Sequence, residues 1–204
     1  VLNSINRGFA AANNQAMKIA TGEYFVFLNN DTIVTQQWLE SLVRTFVNDP
    51  SVGLLCPMTN ETGNEACVRI DYRSVQEIQP FAFGLTEGKA TVIRNIRTVP
   101  LYCAMIGTAV LRSIGGLNED YKMGMFEDDE LSEEVKKLGL RVSFAEDTFI
   151  HHFGRVSFKQ MPSEEYQALF RANRQIFETK WGRWIPHIRG WFNEAVPFPD
   201  HETN

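Results

Sequence analysis

The sequence predicts an α/β protein in which helices flank a mixed, mostly parallel β-sheet. Two observations support this prediction. A short apolar strand, an amphipathic helix and a second apolar strand follow one another within residues 23–57, and this succession is typical of parallel strands connected by a helix. Further strand-like apolar stretches alternate with helical ones as far as residue 152.

The first part of the chain is the most regular. Residues 8–20 predict a helix because apolar residues recur at helical spacing, and residues 23–29 predict a buried strand because they form a short apolar run. Residues 36–47 predict an amphipathic helix, and residues 51–57 predict a second buried strand. Since ligands bind at the carboxyl ends of the strands in such sheets, the polar residues after the first strand are expected at a binding edge.

The second part of the chain has a weaker pattern. Residues 58–100 show no clear period and predict a long excursion with a hairpin and a substrate-facing loop. Residues 101–112 predict a strand interrupted by Gly107, and residues 127–138 predict a helix. A further strand follows, and a last long helix is expected to open at Ser163.

With 204 residues, the chain is long enough for one domain with a substantial core, or for most of a larger domain. We expect the core over residues 1–160, with a C-terminal helical extension over residues 161–204 packed on it. The chain begins with Val1 instead of Met, which predicts that it is part of a longer protein.

Composition excludes several classes of partner. The net charge of -5 leaves no overall basic field to hold nucleic acid or an anionic membrane, so no nucleic-acid partner is expected. The three cysteines lack metal-ligand spacing, which favours a reducing compartment. No apolar run approaches the length of a membrane span. The expected location is therefore cytoplasmic or peripheral to a membrane.

Asn29, Asn30 and Asp31 follow the first predicted strand directly. A carboxylate at the exposed end of a buried strand can hold a hard cation such as Mg²⁺ or Mn²⁺. An aspartate at the start of a loop is also common in turns and at helix caps. Both interpretations remain open for this segment alone.

An acidic cluster opens the helix at residues 127–130 (EDDE). The positive end of the helix dipole stabilises one or two such acids. Four acids in one turn repel one another, which favours a functional site as strongly as a structural one. Adjacent histidines, His151 and His152, follow a strand-like stretch and have the same two interpretations, as metal ligands or as structural residues.

Six short segments carry a family resemblance through their order and spacing. They are residues 6–9 (NRGF), 24–32 (YFVFLNNDT), 115–119 (GGLNE), 126–128 (FED), 150–154 (IHHFG) and 180–182 (KWG). Together they resemble the corresponding motifs of the family 2 glycosyltransferases. That resemblance implies the GT-A fold, a Rossmann-like α/β architecture, and transfer of a sugar from a nucleotide-sugar donor to a saccharide or other hydroxyl acceptor.

The resemblance also implies roles for individual residues. Asp31 and His151 would bind a divalent Mg²⁺ or Mn²⁺, with His152 as the alternative ligand. Asp128 would be the catalytic base that deprotonates the acceptor hydroxyl. The residues that would bind or border the donor are Asn6, Arg7, Gly8, Asn29, Asn30, Gly107 and Glu127.

Three functions stay open at this point. The first is a metal-dependent, inverting glycosyltransferase of glycan or polysaccharide synthesis. The second is a nucleotidyltransferase, which would need a glycine-rich phosphate loop that the sequence lacks. The third is a non-catalytic module of the same fold that binds a glycan or a nucleotide sugar.

The family pattern begins with an apolar strand, a helix and a second strand that do not precede Val1. Without them, the strand at residues 24–28 would have an unpaired edge, and such edges invite pairing with another chain. We therefore expect an incomplete nucleotide pocket and self-association through this sheet edge.

Overall fold

The computed structural model describes residues 2–89, 92–154 and 161–189. Over these residues it confirms an α/β fold with a mixed sheet between helices. The helices are α1 (Phe9–Ile19), α2 (Trp38–Asn48), α3 (Ile78–Thr86), α4 (Thr108–Ile114), α5 (Glu127–Lys137) and α6 (Ser163–Trp181). The strands are β1 (Tyr24–Leu28), β2 (Thr32–Val34), β3 (Val52–Thr59), β4 (Ile93–Asn95), β5 (Cys103–Gly107) and β6 (Arg141–His152).

The strand order corrects the expected proportion of parallel pairs. The order is β1-β5-β3-β6-β2, and β4 pairs with an earlier stretch of β6. Only β3 and β6 pair in parallel among the described residues, whereas the other four pairs are antiparallel. On one side of the sheet the reason is β5: β1 and β3 run in the same direction, as a strand–helix–strand unit requires, but β5 lies between them and runs the opposite way. On the other side, β2 and β4 both run opposite to β6.

Two hydrophobic clusters lie on opposite faces of the sheet. The alternation of side chains along β1 shows this, because Phe25 and Phe27 belong to one cluster and Tyr24 and Val26 to the other. Helices α1, α3, α4 and α5 supply residues to the first cluster. Helix α2 covers the other face, with Leu42 fully buried. Burial of one such side chain stabilises the fold by about 1.5–3 kcal/mol.

The irregular middle of the chain contains a helix that its pattern did not predict. Helix α3 lies within residues 58–100, where a hairpin was expected, and buries Ile78 and Ala82 against the first cluster. Pro80 is compatible with it because the first-turn N–H groups of a helix have no partner within the helix. Strand β5 ends at Gly107, and α4 follows at once, so the single strand predicted for residues 101–112 is a strand and a helix.

Helix α6 packs on the preceding part of the chain through Asn173 and Phe177, its buried residues. Phe177 joins Tyr121 and Phe126 in a third hydrophobic cluster. Residues 155–160 and 190–204 lie outside the described residues, so a domain division at residue 160 stays a prediction. None of the helices in the described part of the chain has the length and apolarity to cross a membrane.

Candidate active site

A cleft of about 790 Å³ opens where β1 ends and α5 begins. Three loops build it, one after β1, one after β3 and one before α5. Side chains on these loops and near them line the cleft, and those with polar groups include Asn6, Asn29, Asn30, Asp31, Glu61, Thr62, Tyr102, Glu127, Asp128 and His152. The cleft therefore brings together the segment after the first strand, the acidic cluster and one of the two histidines.

Asp31 and His152 lie side by side in this cleft. The antiparallel pairing of β2 with β6 sets their positions, because Thr32 is the partner of His152 in the ladder. The Nε2 atom of His152 is 3.3 Å from Oδ1 of Asp31. Two adjacent ligands of an octahedral divalent ion would lie about 3 Å apart, so this pair fits one metal ion.

The protonation of His152 follows from its other ring nitrogen. Nδ1 lies 2.8 Å from the backbone carbonyl of Glu61, and a carbonyl only accepts, so Nδ1 carries a proton. In the neutral ring, the Nε2 lone pair is then free and faces Asp31. A metal-binding histidine is commonly oriented by such a second hydrogen bond.

Neighbouring groups hold the His152 backbone and ring. Asn60 accepts from the backbone N–H of His152 at 2.8 Å and donates to its carbonyl at 3.0 Å. The ring of Tyr102 stacks on the imidazole with a centroid distance of 5.2 Å. These contacts limit the freedom of His152 before any ligand binds.

His151, the histidine that the family resemblance implies, does not line the cleft. Its Nδ1 atom lies 2.6 Å from the hydroxyl of Tyr72, and its ring packs against Phe153. Burial lowers its pKa. Successive side chains of a strand point to opposite faces, so only one of two adjacent histidines on β6 can face Asp31, and the structure places His152 there.

The four acids at the start of α5 separate into two pairs. Glu127 and Asp128 line the cleft. Asp129 instead accepts hydrogen bonds from the hydroxyl of Thr98 at 3.1 Å and from Trp184 Nε1 at 3.2 Å. The residue pattern did not separate the four acids, and only the family resemblance singled out Glu127 and Asp128.

Glu130 belongs with Asp129 as a structural acid. Its carboxylate accepts from the hydroxyl of Tyr121 at 2.5 Å and from Lys180 Nζ at 2.7 Å. Asn118 also donates to it. These partners lower the pKa of Glu130 against the opposing effect of burial.

Burial has the opposite result for the two acids in the cleft. It raises the pKa of Asp128 above that of an ordinary aspartate, and the neighbouring charge of Asp129 raises it further. Burial and the charge of Asp128 raise the pKa of Glu127 in the same way. The Oε2 atom of Glu127 is buried and has no hydrogen-bond partner in the described part of the chain. Both carboxyl groups are thus poised to hold or release a proton near neutral pH.

The structure places the residues predicted to bind the donor in two groups. Asn6, Gly8, Asn29 and Asn30 line the cleft together with Glu127. Arg7 is exposed and does not line it.

Gly107 also lies away from the cleft, which corrects its expected position. It pairs with Tyr24 at the start of β1, whereas the cleft lies beyond Leu28 at the other end of that strand. At about 3.3 Å per residue, the two ends are about 13 Å apart. Because β5 is antiparallel to β1, the residues before β5, including Tyr102, approach the cleft instead.

A side chain of α1 contacts the recognised motif at residues 115–119 away from the cleft. Asn14 accepts from the backbone N–H of Leu117 at 2.8 Å and donates to its carbonyl at 2.8 Å. Gly116 allows this approach, since a Cβ atom there would lie 2.5 Å from Asn14 Oδ1. Gly116 lines a smaller cavity of about 220 Å³ that Glu127 also borders. Asn14 thus fixes the segment around Gly116.

Several residues of the cleft were not predicted from the sequence. Glu61 and Thr62 come from the irregular excursion after β3, and Tyr102 from the residues before β5. The one usable signal was the polar run at residues 60–65, which directly follows a fully buried strand. Such a run at the carboxyl end of a strand is where ligands bind in an α/β sheet.

The tryptophans near the C-terminus, Trp181, Trp184 and Trp191, could form a sugar-binding surface or dock the last helix on the core. Trp184 packs on Phe126 and Phe170 and donates to Asp129. Trp181 stacks with Lys137, whose Nζ lies 4.2 Å from the ring centroid. These contacts favour docking for both, while Trp191 lies outside the described residues.

Comparison with known proteins gives the same family as the motifs. The model of glycosyl transferase family 2 matches residues 1–114. The O-antigen biosynthesis protein RfbC of Myxococcus xanthus is 32% identical over 179 residues, which cover 81% of this chain and 14% of RfbC. The pre-mycofactocin glycosyltransferase of Mycobacterium tuberculosis is 25% identical over 156 residues, which cover 76% of this chain and 32% of that protein.

A solved structure shows the same fold at low sequence identity. The structure of GalNAc-T7 with UDP, GalNAc and Mn²⁺ superimposes with a TM-score of 0.56 at 13% identity, covering 87% of this chain and 39% of that one. This likeness concerns the fold, which is the GT-A fold. The chain spans less than half of each protein that it matches here.

Proposed function

Because the chain belongs to glycosyl transferase family 2, we propose that it transfers a sugar from a nucleoside-diphosphate donor to a hydroxyl group of an acceptor, in glycan or polysaccharide synthesis. The transfer inverts the anomeric carbon and depends on a divalent metal. The observation that carries this proposal is the meeting of two pairs in one cleft, Asp31 with His152 and Glu127 with Asp128.

In this proposal Asp31 and His152 hold Mg²⁺ or Mn²⁺. A carboxylate oxygen and an imidazole nitrogen are suitable ligands for such an ion. No three His, Cys, Asp or Glu side chains of the described residues form a metal site on their own, so oxygen atoms of a diphosphate would complete the coordination. The bound ion would neutralise the charge of the nucleoside-diphosphate leaving group.

Asp128 acts as the base in this proposal. Its raised pKa suits it to accept the proton of an acceptor hydroxyl near neutral pH, since a base is most efficient when its pKa lies near the working pH. Glu127 borders both cavities, and its Oε2 atom has no hydrogen-bond partner among the described residues, so Glu127 faces the donor sugar in this proposal. Asn6, Gly8, Asn29 and Asn30 contact the nucleotide.

A non-catalytic module that only binds a nucleotide sugar is the alternative, and Asp128 distinguishes it. Asp128→Asn keeps the shape of the side chain and removes the base, so sugar transfer by the full-length protein should fall at least about a hundredfold while donor binding persists. Release of nucleoside diphosphate from labelled nucleotide sugars measures this. Wild-type protein that binds donors but never turns them over, with any acceptor tried, would establish the binding module instead.

The metal assignment has its own test, in which the two histidines serve as a matched pair. Calorimetry of nucleoside diphosphates with and without Mn²⁺ should show metal-dependent binding that is lost in Asp31→Asn and in His152→Ala. His151→Ala should retain it, because His151 faces Tyr72 and not Asp31. The opposite pattern for the two histidines would return the role to His151, and metal-dependent binding that survives Asp31→Asn would exclude this site.

A further inference from the structure

The backbone just before Glu127 and Asp128 adopts an unusual conformation. Lys122, Met125 and Phe126 have φ angles of 53°, 79° and 75°, and Gly124 has a φ of 135°. For residues with a side chain, this left-handed region is disfavoured by about 1 kcal/mol or more each. Such a conformation persists only where surrounding contacts hold it. The segment lines the cleft through Met123, Gly124 and Met125.

One side chain of α6 meets this segment from behind. Asn173 is 2% exposed, and its side-chain amide nitrogen lies 3.1 Å from the carbonyl of Tyr121, 2.8 Å from that of Gly124 and 3.2 Å from that of Met125. A primary amide carries two N–H groups, so its hydrogens are shared among three carbonyls. The carbonyl of Tyr121 precedes the strained turn and the other two lie within it, and no other single side chain of the described residues donates to all three.

The opposite side of the segment rests on the start of α1. A Cβ atom on Gly8 would lie 1.8 Å from the carbonyl oxygen of Lys122, so the two backbones are in direct contact. Gly8 itself lines the cleft and has a φ of 84°. The turn is therefore held between a backbone on the cleft side and an amide on the α6 side.

We propose that Asn173 is a positioning residue for Glu127 and Asp128. By bonding the carbonyls of Tyr121, Gly124 and Met125 it fixes the left-handed turn, and the turn sets the direction in which the first residues of α5 enter the cleft. Asn173 touches no substrate and acts only through this segment. The effect on catalysis rests on the function proposed above, whereas the effect on the turn does not.

The test uses Asn173→Asp, which keeps the size of the side chain and replaces its donor with acceptors that face the same carbonyls. Amide hydrogen exchange at residues 122–128 should accelerate at least about tenfold, while that of β3 stays slow. In the full-length protein kcat for sugar transfer should fall at least about tenfold with the KM for the donor changed less, because a shift of about 1 Å in a reacting group is costly. Asn173→Ser retains one hydrogen-bond donor, so it should show the same changes to a smaller degree. It also provides the test if Asn173→Asp does not fold.

Two controls separate positioning from general stability. Gln175→Ala changes an exposed residue of the same helix and should leave both measurements unchanged. Phe46→Leu weakens the cluster on the other face of the sheet, so it should lower the melting temperature without accelerating exchange at residues 122–128. Unchanged exchange of the turn in the Asn173 variants would overturn the proposal, and so would accelerated exchange with an unaltered kcat. If the wild-type protein transfers no sugar but exchange still accelerates in the Asn173 variants, the proposed function is wrong. The structural role of Asn173 in holding the turn would then remain.

Discussion

At the scale of single residues, the acidic cluster shows how environment assigns different tasks to the same chemistry. Asp129 and Glu130 have hydrogen-bond donors around them, from Thr98 and Trp184 in one case and from Tyr121 and Lys180 in the other. Asp128 accepts only a backbone N–H at 3.0 Å among the hydrogen bonds described for it, and burial raises its pKa. A single helical turn thus holds two acids with side-chain hydrogen-bond donors and two buried acids with raised pKa values.

The raised pKa of Asp128 predicts a cost in stability. When the pKa of a carboxyl group is higher in the folded state than in the unfolded state, the folded state binds more protons, and stability falls as the pH rises through that interval. Asp128→Asn imitates the neutral acid at every pH. In metal-free buffer at neutral pH, we expect the variant to melt about 3 °C or more above the wild type, and the gain should disappear below about pH 4, where the acid is protonated in both states.

Thermal melts across this pH range measure that difference. Asp129→Asn is the matched control: its carboxylate accepts hydrogen bonds from Thr98 and Trp184, so its loss should lower the melting temperature at neutral pH. An Asp128→Asn variant that is less stable than the wild type at neutral pH would show that the charged form of Asp128 stabilises the fold, and the pKa argument would be wrong.

The histidine pair shows what a motif predicts and what it leaves open. The family resemblance implied His151 as the metal ligand and His152 as the alternative, and the structure places His152 beside Asp31. The choice between adjacent residues depends on which face of β6 points to the cleft. The pairing of Thr32 with His152 determines which face of β6 this is. These two residues are 120 positions apart, so no local sequence pattern encodes the pairing.

At the scale of elements, the helices and strands with strong apolar periodicity were predicted at the right places, whereas the order of the strands in the sheet was not. The helices α1, α2 and α5 and the strands β1, β3 and β6 lie where the apolar pattern indicates. Because β1 and β3 lie on either side of one helix in the sequence, they were expected to be neighbours in the sheet. Instead, β5 lies between them and comes from a distant part of the chain. This insertion accounts for two of the four antiparallel pairs, β1 with β5 and β3 with β5, and for the position of Gly107 away from the cleft.

Helix α3 was missed because its stabilisation comes from tertiary contacts. It has nine residues, Pro80 and Gly84 among them, so an isolated peptide of this sequence would have little tendency to be helical. Its buried residues, Ile78 and Ala82, pack on the first cluster next to β6. Ile78, Phe81, Ala82 and Leu85 recur at helical spacing, but this run of nine residues is too short and is interrupted by Pro80 and Gly84, so it does not predict a helix on its own.

At the scale of the whole molecule, the cleft is assembled from segments far apart in the chain. Residues near 6, 30, 61, 102, 127 and 152 all line it. The C-terminal segment is joined to this part, since Arg189 pairs with Glu61 at 2.8 Å and Arg97 donates to the carbonyl of Pro186 at 2.7 Å. Residues 182–189 are therefore connected to the cleft through Glu61, whose carbonyl accepts from Nδ1 of His152.

The open edge of β1 predicts that two chains associate through it. Among the described residues, β1 is an edge strand that pairs only with β5. The backbone N–H of Asn29 donates to the carbonyl of Tyr102, and the carbonyl of Glu23 accepts from the N–H of Thr108. The backbone N–H and C=O groups of the odd-numbered residues of β1 therefore point towards β5. Because backbone groups alternate along a strand, those of Tyr24, Val26 and Leu28 face the open edge.

An unpaired edge of this kind favours pairing with a second chain. The 204-residue chain should therefore form dimers as its concentration rises, and Val26→Pro should abolish them, because proline lacks the N–H group on the open side and leaves the β5 ladder intact. Val26→Ala removes the same packing and keeps the N–H, so it should still associate. Sedimentation over a wide range of concentrations distinguishes these outcomes. A longer chain that supplies a strand beside β1 should be monomeric through this edge, whereas a 204-residue chain that stays monomeric throughout, or dimers that persist in Val26→Pro, would show that association does not use it.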